Sequence, residues 1–138
     1  LVAAGIANRG VVMEPHLGRR VEDRQGRVVR RVAPRAWRRA TSPDTAATVT
    51  EFMVSVVRNG TGTAAQIPGV TVAGKTGTAQ APGGPPHAWF IAFAPAEAPR
   101  FAISVIIERG GSAGDEATGG RVAAPVAAKV LRVLLGAP

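Results

Sequence analysis

Pro68-Gly69-Val70-Thr71-Val72-Ala73-Gly74-Lys75-Thr76-Gly77-Thr78-Ala79-Gln80 is the stretch from which the rest of the chain can be ordered. Val70 and Val72 alternate with Thr71 and Ala73, the period of a β-strand with one apolar face. The strand leads into Lys75-Thr76-Gly77-Thr78, which is one cation, two hydroxyls and a glycine between them. On a strand edge such a set can hold a carboxylate through the ammonium and the hydroxyls. The bare backbone at Gly77 would let an extended ligand lie alongside.

Downstream, the run Ala81-Pro82-Gly83-Gly84-Pro85-Pro86 reads as a loop. Two more strands are expected after it. In His87–Ala94, Trp89, Ile91 and Phe93 share a face. In Phe101–Glu108, Phe101, Ile103, Val105 and Ile107 share a face, with Ile106 on the reverse. Residues 95–100 join the two as a hairpin loop, and Gly110–Gly120 reads as a flexible glycine-rich segment. A last helix is expected over residues 121–135, with Val122, Val126, Val130, Val133 and Leu134 as the stripe that covers the sheet. Pro125 is tolerated there near the first turn.

Upstream, residues 1–10 read as a helix closed by Gly10 in a left-handed cap. Residues 11–40 form a basic segment with a hairpin turn at Asp23-Arg24-Gln25-Gly26. Val21, Val28, Val29 and Val32 are expected to pack inward and the arginines to be solvated. Ser42-Pro43-Asp44 caps a helix over residues 42–59, with Ala46, Val49, Met53 and Val56 on one face and Phe52 beside them. The fold class is therefore α+β: an antiparallel sheet, three strands of it within residues 68–109, flanked by helices.

With 138 residues the chain holds one core. The formal charge of +8 comes almost entirely from arginine, since Lys75 and Lys129 are the only lysines among 17 basic residues. Rich Arg, Ala, Gly and Pro usage points to a GC-rich genome. Without cysteine there are no disulfides and no thiolate metal sites. The C-terminal apolar run is broken by Lys129 and Arg132, too short to span a bilayer, and there is no signal peptide pattern. Leu1-Val2-Ala3-Ala4-Gly5-Ile6-Ala7 starts like the inside of a helix without a cap, which predicts a C-terminal portion of a longer protein.

Several motifs imitate other chemistries. Gly69–Thr76 fits the phosphate-loop pattern G-x-x-x-x-G-K-T, but a phosphate loop follows a buried strand and opens a helix, and here Gly77 and the Pro/Gly run forbid the helix. Gly60-Thr61-Gly62-Thr63-Ala64-Ala65 resembles a dinucleotide fingerprint yet follows a helix. The arginine-rich hairpin could meet a polyanion, but Trp37 is the one aromatic near it, so no stacking platform for nucleic acid is expected. His16 and His87 have no ligand spacing, so no metal or cofactor is expected, and Asp115-Glu116 reads as a solvent-facing pair.

Three stretches taken together carry a family likeness: Leu1–Gly10, Gly69–Gln80 and Pro86-His87-Ala88-Trp89-Phe90-Ile91-Ala92-Phe93-Ala94-Pro95. The chain resembles the class B penicillin-binding proteins, most nearly the actinobacterial penicillin-binding protein A group, over essentially its whole length to Thr118-Gly119-Gly120 and the last helix. Lys75-Thr76-Gly77 matches the third signature of that superfamily.

The resemblance implies an incomplete serine β-lactamase/transpeptidase-like fold and the C-terminal part of a D,D-transpeptidase domain. Such an enzyme cross-links peptidoglycan stem peptides ending in D-Ala-D-Ala. A serine attacks the penultimate carbonyl, D-alanine leaves, and the acyl group passes to a neighbouring amine; β-lactams acylate the same serine. It further implies that Lys75, Thr76 and Thr78 bind the terminal carboxylate and that Gly77 keeps the edge clear. The Thr78 backbone N–H is implied as an oxyanion-hole donor. A site on the extracytoplasmic face, with a membrane anchor upstream of this chain, is implied too.

The family also needs Ser-x-x-Lys and Ser-x-Asn, and neither occurs: three places after Ser42, Ser55, Ser104 and Ser112 stand Thr45, Arg58, Ile107 and Asp115, and two places after stand Asp44, Val57, Ile106 and Gly114. The nucleophile is expected upstream of Leu1, so the chain alone is expected to be inactive. Two sheet strands are expected to be missing with it, leaving Phe101–Glu108 with a bare edge and an uncovered apolar face, and the isolated chain poorly folded. The competing readings are a non-catalytic sensor of the same fold, a polyanion-binding module built on the arginines, and a serine β-lactamase, whose deacylation determinants would also lie outside the chain.

Overall fold

The computed structural model describes residues 1–137. Its centre is an antiparallel sheet of β5 (Ala73–Ala81), β6 (Gly84–Ala94) and β7 (Phe101–Ile107) in the order β5-β6-β7, so β5 and β7 each keep one free edge. The α+β architecture expected above is the one observed. Gly74 pairs with Ala92, Thr76 with Phe90 and Gly77 with Trp89; on the other side Phe90 pairs with Val105 and Ala92 with Ile103.

β5 starts later and ends later than expected. Val70 and Val72 precede it, because Gly69 at φ +75° turns the chain and Val70 bridges back to Ile67. The Pro/Gly run is not a loop: Ala81 pairs with Gly84 around a two-residue turn, Pro82-Gly83, with Gly83 at φ +67°. Pro85 and Pro86 enter β6 next to the register shift between Ala79 and Ala81, where a missing N–H costs no ladder bond.

Helices cover both faces. One carries α3 (Ala124–Leu135), whose Ala124, Ala127, Ala128 and Leu131 pack with Phe90, Ala92, Ala94, Val57, Ile67 and Val72. The expected valine stripe is wrong, since Val126, Val130, Val133 and Leu134 are all exposed. The buried stripe is made of alanines at helical spacing, whose small side chains let the helix lie close to the sheet.

The opposite face carries α1 (Val2–Ala7) and part of α2 (Pro43–Asn59), where Ala3, Met53, Ala73 and Phe93 form a second cluster, while Val57 near the end of α2 joins the α3 cluster. α2 begins as expected: Ser42 Oγ accepts the Thr45 N–H at 3.1 Å and Pro43 occupies the first turn. Its buried residues are Ala46, Met53 and Val57, while Phe52, expected beside them, is 65% exposed.

Two small ribbons stand between α1 and α2. β1 (Val11–Met13) pairs with β4 (Ala36–Arg39), a pairing the sequence pattern did not suggest, and β2 (Arg20–Glu22) pairs with β3 (Val28–Arg31). The hairpin turn lies where expected, with Gly26 at φ +78°. Asp23 Oδ1 accepts the N–H groups of Gln25 and Arg27, each at 2.9 Å. Those bonds, with the Arg27 guanidinium on the other carboxylate oxygen, hold Asp23 below the ordinary carboxylate range.

Three of the four hairpin valines do not pack inward as expected: Val21, Val28 and Val29 are exposed, every residue of β2 and β3 is exposed, and only Val32 is half-buried. The glycine-rich segment also differs. Glu108–Glu116 folds into short 3-10 turns, Gly110, Ala117 and Gly119 are buried, and a π-turn over Gly119–Ala123 leads into α3.

β7 has the bare edge expected of it, but its apolar face is only partly open, since Phe101, Ile103, Val105 and Ile107 pack against the α3 cluster. No helix among the described residues is long and apolar enough to cross a membrane.

Candidate functional site

Lys75, Thr76, Gly77 and Thr78 lie consecutively in the middle of β5, on the side of the sheet that has no further strand. Gly74 before them is buried, Lys75 and Thr78 are exposed, and Thr76 and Gly77 are half-buried. The strand thus leaves the core at residue 74 and presents the next four residues at its rim.

Strand alternation sends Lys75 and Gly77 to one face and Thr76 and Thr78 to the other. The contacts agree with this. A Cβ on Gly77 would meet Trp89 Cβ at 3.3 Å, while Thr76 Cγ2 lies near Gly120 at the head of α3. Lys75 reaches round the rim, and its Nζ donates to the carbonyl oxygen of Thr76. The ammonium therefore comes back to the edge between the two hydroxyl-bearing residues, although its side chain leaves from the opposite face.

Thr76 Oγ1 is 2.7 Å from Thr61 Oγ1. Thr61 follows the end of α2 and belongs to the Gly60–Ala65 run dismissed above as a false dinucleotide fingerprint, so the sequence reading missed it. Thr61-Gly62-Thr63, which repeats the Thr76-Gly77-Thr78 of the strand, is the pattern that could have drawn notice. Gly62 has little room of its own: a Cβ there would meet Val56 and Phe90 at 3.2 and 3.3 Å.

Gly119 lies over the Gly77–Trp89 pair. A Cβ on it would stand 2.0 Å from the Trp89 carbonyl oxygen and 2.8 Å from Gly77 N and O; one on Gly120 would stand 1.9 Å from the Thr61 carbonyl oxygen. Thr118 caps this turn by accepting the Arg121 N–H, and Arg121 pairs with Glu116.

The other residues considered from sequence lie elsewhere. His87 Nδ1 accepts the Arg109 N–H at 3.1 Å, and His87 lies inside β6, paired with Ala79, rather than at the strand end expected for it. Asp115 and Glu116 are exposed, and among the described residues there is no cluster of His, Cys, Asp or Glu that could hold a metal. A concavity of about 720 Å³ lies between α1, α2 and residues 93–99, and residues 75–78 do not line it. What residues 75–78 offer is an open wall rather than an enclosed pocket.

Residues 2–132 match the model of the penicillin binding protein transpeptidase domain, and the chain belongs to that family. Among curated relatives, the peptidoglycan D,D-transpeptidase PbpA of Mycolicibacterium smegmatis is 43% identical over 129 residues, which is 91% of this chain and 26% of the relative. PbpA of Mycobacterium tuberculosis is 41% identical over 138 residues, 97% of this chain and 28% of the relative. An acyl-enzyme structure of penicillin-binding protein A from M. tuberculosis superposes with a TM-score of 0.90 at 40% identity, covering 97% of this chain and 31% of that one. The chain thus spans about a quarter of the length of the curated relatives it matches.

Proposed function

We propose that this chain is the carboxylate-recognising part of a peptidoglycan D,D-transpeptidase, completed by a serine nucleophile that lies outside these 138 residues. The observation that carries the reading is the free rim of β5, where Lys75, Thr76, Gly77 and Thr78 stand without a neighbouring strand. The names and acyl-enzyme state of the relatives support it.

Each residue has a distinct task. The Lys75 ammonium attracts the terminal carboxylate of a D-Ala-D-Ala stem peptide, and of a β-lactam, and biases the field at the reacting carbonyl. Thr76 and Thr78 offer directed O–H donors to the same carboxylate. In an antiparallel ladder, successive residues turn their main-chain groups alternately to the partner strand and away from it. The Thr76 carbonyl is reached by Lys75 Nζ and so faces the rim, which puts the Thr78 N–H on the same side. There it can stabilise the negative oxygen of the tetrahedral intermediate, and the rim can pair with the peptide as an added strand.

The extracytoplasmic face of the membrane, reached through an anchor outside this chain, is the compartment consistent with that substrate. The test is a pair of variants of the full-length protein acylated by penicillin. Thr78→Ala removes only the hydroxyl, whereas Thr78→Pro also removes the N–H, at an edge position where a sheet tolerates proline. Thr78→Pro is expected to acylate about 100-fold more slowly than Thr78→Ala, the typical effect of losing one oxyanion donor. Equal rates in two folded variants would exclude the assigned role of the N–H.

A further inference from the structure

We propose that Thr61 and the turn Thr118-Gly119-Gly120 form a buttress that positions Thr76 and Gly77, so that Thr61, Gly119 and Gly120 are positioning residues for carboxylate recognition. The inference rests on the functional reading above and extends it to residues behind the rim.

β5 is an edge strand, and the functional set lies where it has left the core, with β6 on one side only. A strand in that position is held on its outer part by whatever touches its faces. Here the contact is close backbone approach. Gly119 lies against Gly77 N and O and the Trp89 carbonyl, and Gly120 against the Thr61 carbonyl, at separations only glycine allows, with Thr76 Cγ2 in ordinary contact beside Gly120. Gly119 is buried and Gly120 half-buried, and the turn itself is fixed by the Thr118 cap on the Arg121 N–H. The head of α3 therefore sets the height of Gly77, and with it the direction of the neighbouring Thr76 and Thr78.

Thr61 adds a chemical constraint. Its hydroxyl shares a 2.7 Å hydrogen bond with the Thr76 hydroxyl. For Thr76 to donate its one O–H to a carboxylate, Thr61 must be the donor in their bond and Thr76 the acceptor. That arrangement fixes the Thr76 rotor and polarises its O–H toward the rim. A valine at position 61 keeps the shape and removes the donor.

The test compares acylation of the full-length protein by a penicillin with its free carboxylate and by the same penicillin as its methyl ester. The variants are Thr61→Val, Thr61→Ser, Gly119→Ala, Gly120→Ala and, as a control, Gly18→Ala, whose Cβ meets nothing within 4 Å. Thr61→Val is expected to acylate about tenfold more slowly with the free acid, the scale of one hydrogen bond serving an anion, with little change for the ester. Thr61→Ser is expected to retain the parent rate, and the two alanine variants to follow Thr61→Val or fall further.

Parent-like acylation of Thr61→Val with the free acid overturns the proposal, and so does an equal loss with acid and ester, which would mark a merely structural role. If the alanine variants do not fold, the Thr61 pair still decides. Lys75→Ala separates the two levels: if it keeps the parent's rate with the free acid, the functional reading fails. If it loses that rate while Thr61→Val does not, the buttress alone fails.

Discussion

Gly74 lies under the ring of Phe90: a Cβ built on it would stand 2.4 Å from Phe90 Cζ and 3.1 Å from Val57 Cγ2. Phe90 is fully buried and belongs to the cluster shared by the sheet, α2 and α3, so its ring cannot swing out to solvent to make room. The residue next to Lys75 is thus fixed by packing, and the rim begins from a rigid point. Gly74→Ala is expected to destabilise the protein by about 1–3 kcal/mol, the usual cost of overpacking a filled core. Chemical denaturation of the full-length parent and variant checks it, with Gly18→Ala as the neutral comparison.

The basic hairpin should open in acid. Asp23 is held below the ordinary carboxylate range by the Arg27 N–H first, then by the Arg27 side chain and the Gln25 N–H. A depressed carboxyl contributes stability that is present above its unfolded pKa and lost as pH falls through the lower folded value. Hydrogen exchange at the Gln25 and Arg27 amides is therefore expected to lose its protection as pH drops below the ordinary Asp range. Asp23→Asn should show reduced protection already at neutral pH. Unchanged protection in Asp23→Asn would contradict the assignment.

The free edge of β7 is a surface for unwanted pairing. Ser104 and Ile106 point away from the α3 cluster, and Ile106 is 39% exposed. The isolated 138-residue chain is expected to associate through this edge and to lack a sharp monomeric unfolding transition. Ile106→Lys should shift it toward monomer, as measured by light scattering. A monomeric parent with a cooperative melt would count against this.

Much of the fold could be read from residue pattern, and the failures share a cause. Alternation placed β6 and β7, and Ser42-Pro43 marked the start of α2, because local chemistry decides those features. The reading of α3 went wrong because valine outranks alanine as a core former, while close helix–sheet packing selects the alanines. Val21, Val28 and Val29 were assigned an interior, yet the ribbon of β2 and β3 is exposed throughout. Pro82–Pro86 were read as loop although a two-residue turn suffices, since Gly83 takes the left-handed conformation. At the site, Lys75 to Thr78 were visible as a contiguous motif. Thr61 was not, because its partner lies 15 residues away and only the folded chain joins them. Gly119 and Gly120 showed in the sequence as part of the family likeness, but their closeness to Gly77 and Thr61 is a tertiary fact.

If the rim of β5 recognises a carboxylate, removing its cation must weaken capture of ligands that carry one. The most direct measurement is the rate of penicillin acylation of the full-length protein with Lys75→Ala, followed by a fluorescent penicillin and normalised to folded protein. The account predicts a loss of about 100-fold or more, the scale of removing a preorganised electrostatic group from a reacting site, with the thermal melt unchanged because Lys75 is exposed. Labelling at the parent rate by a folded Lys75→Ala protein would contradict it.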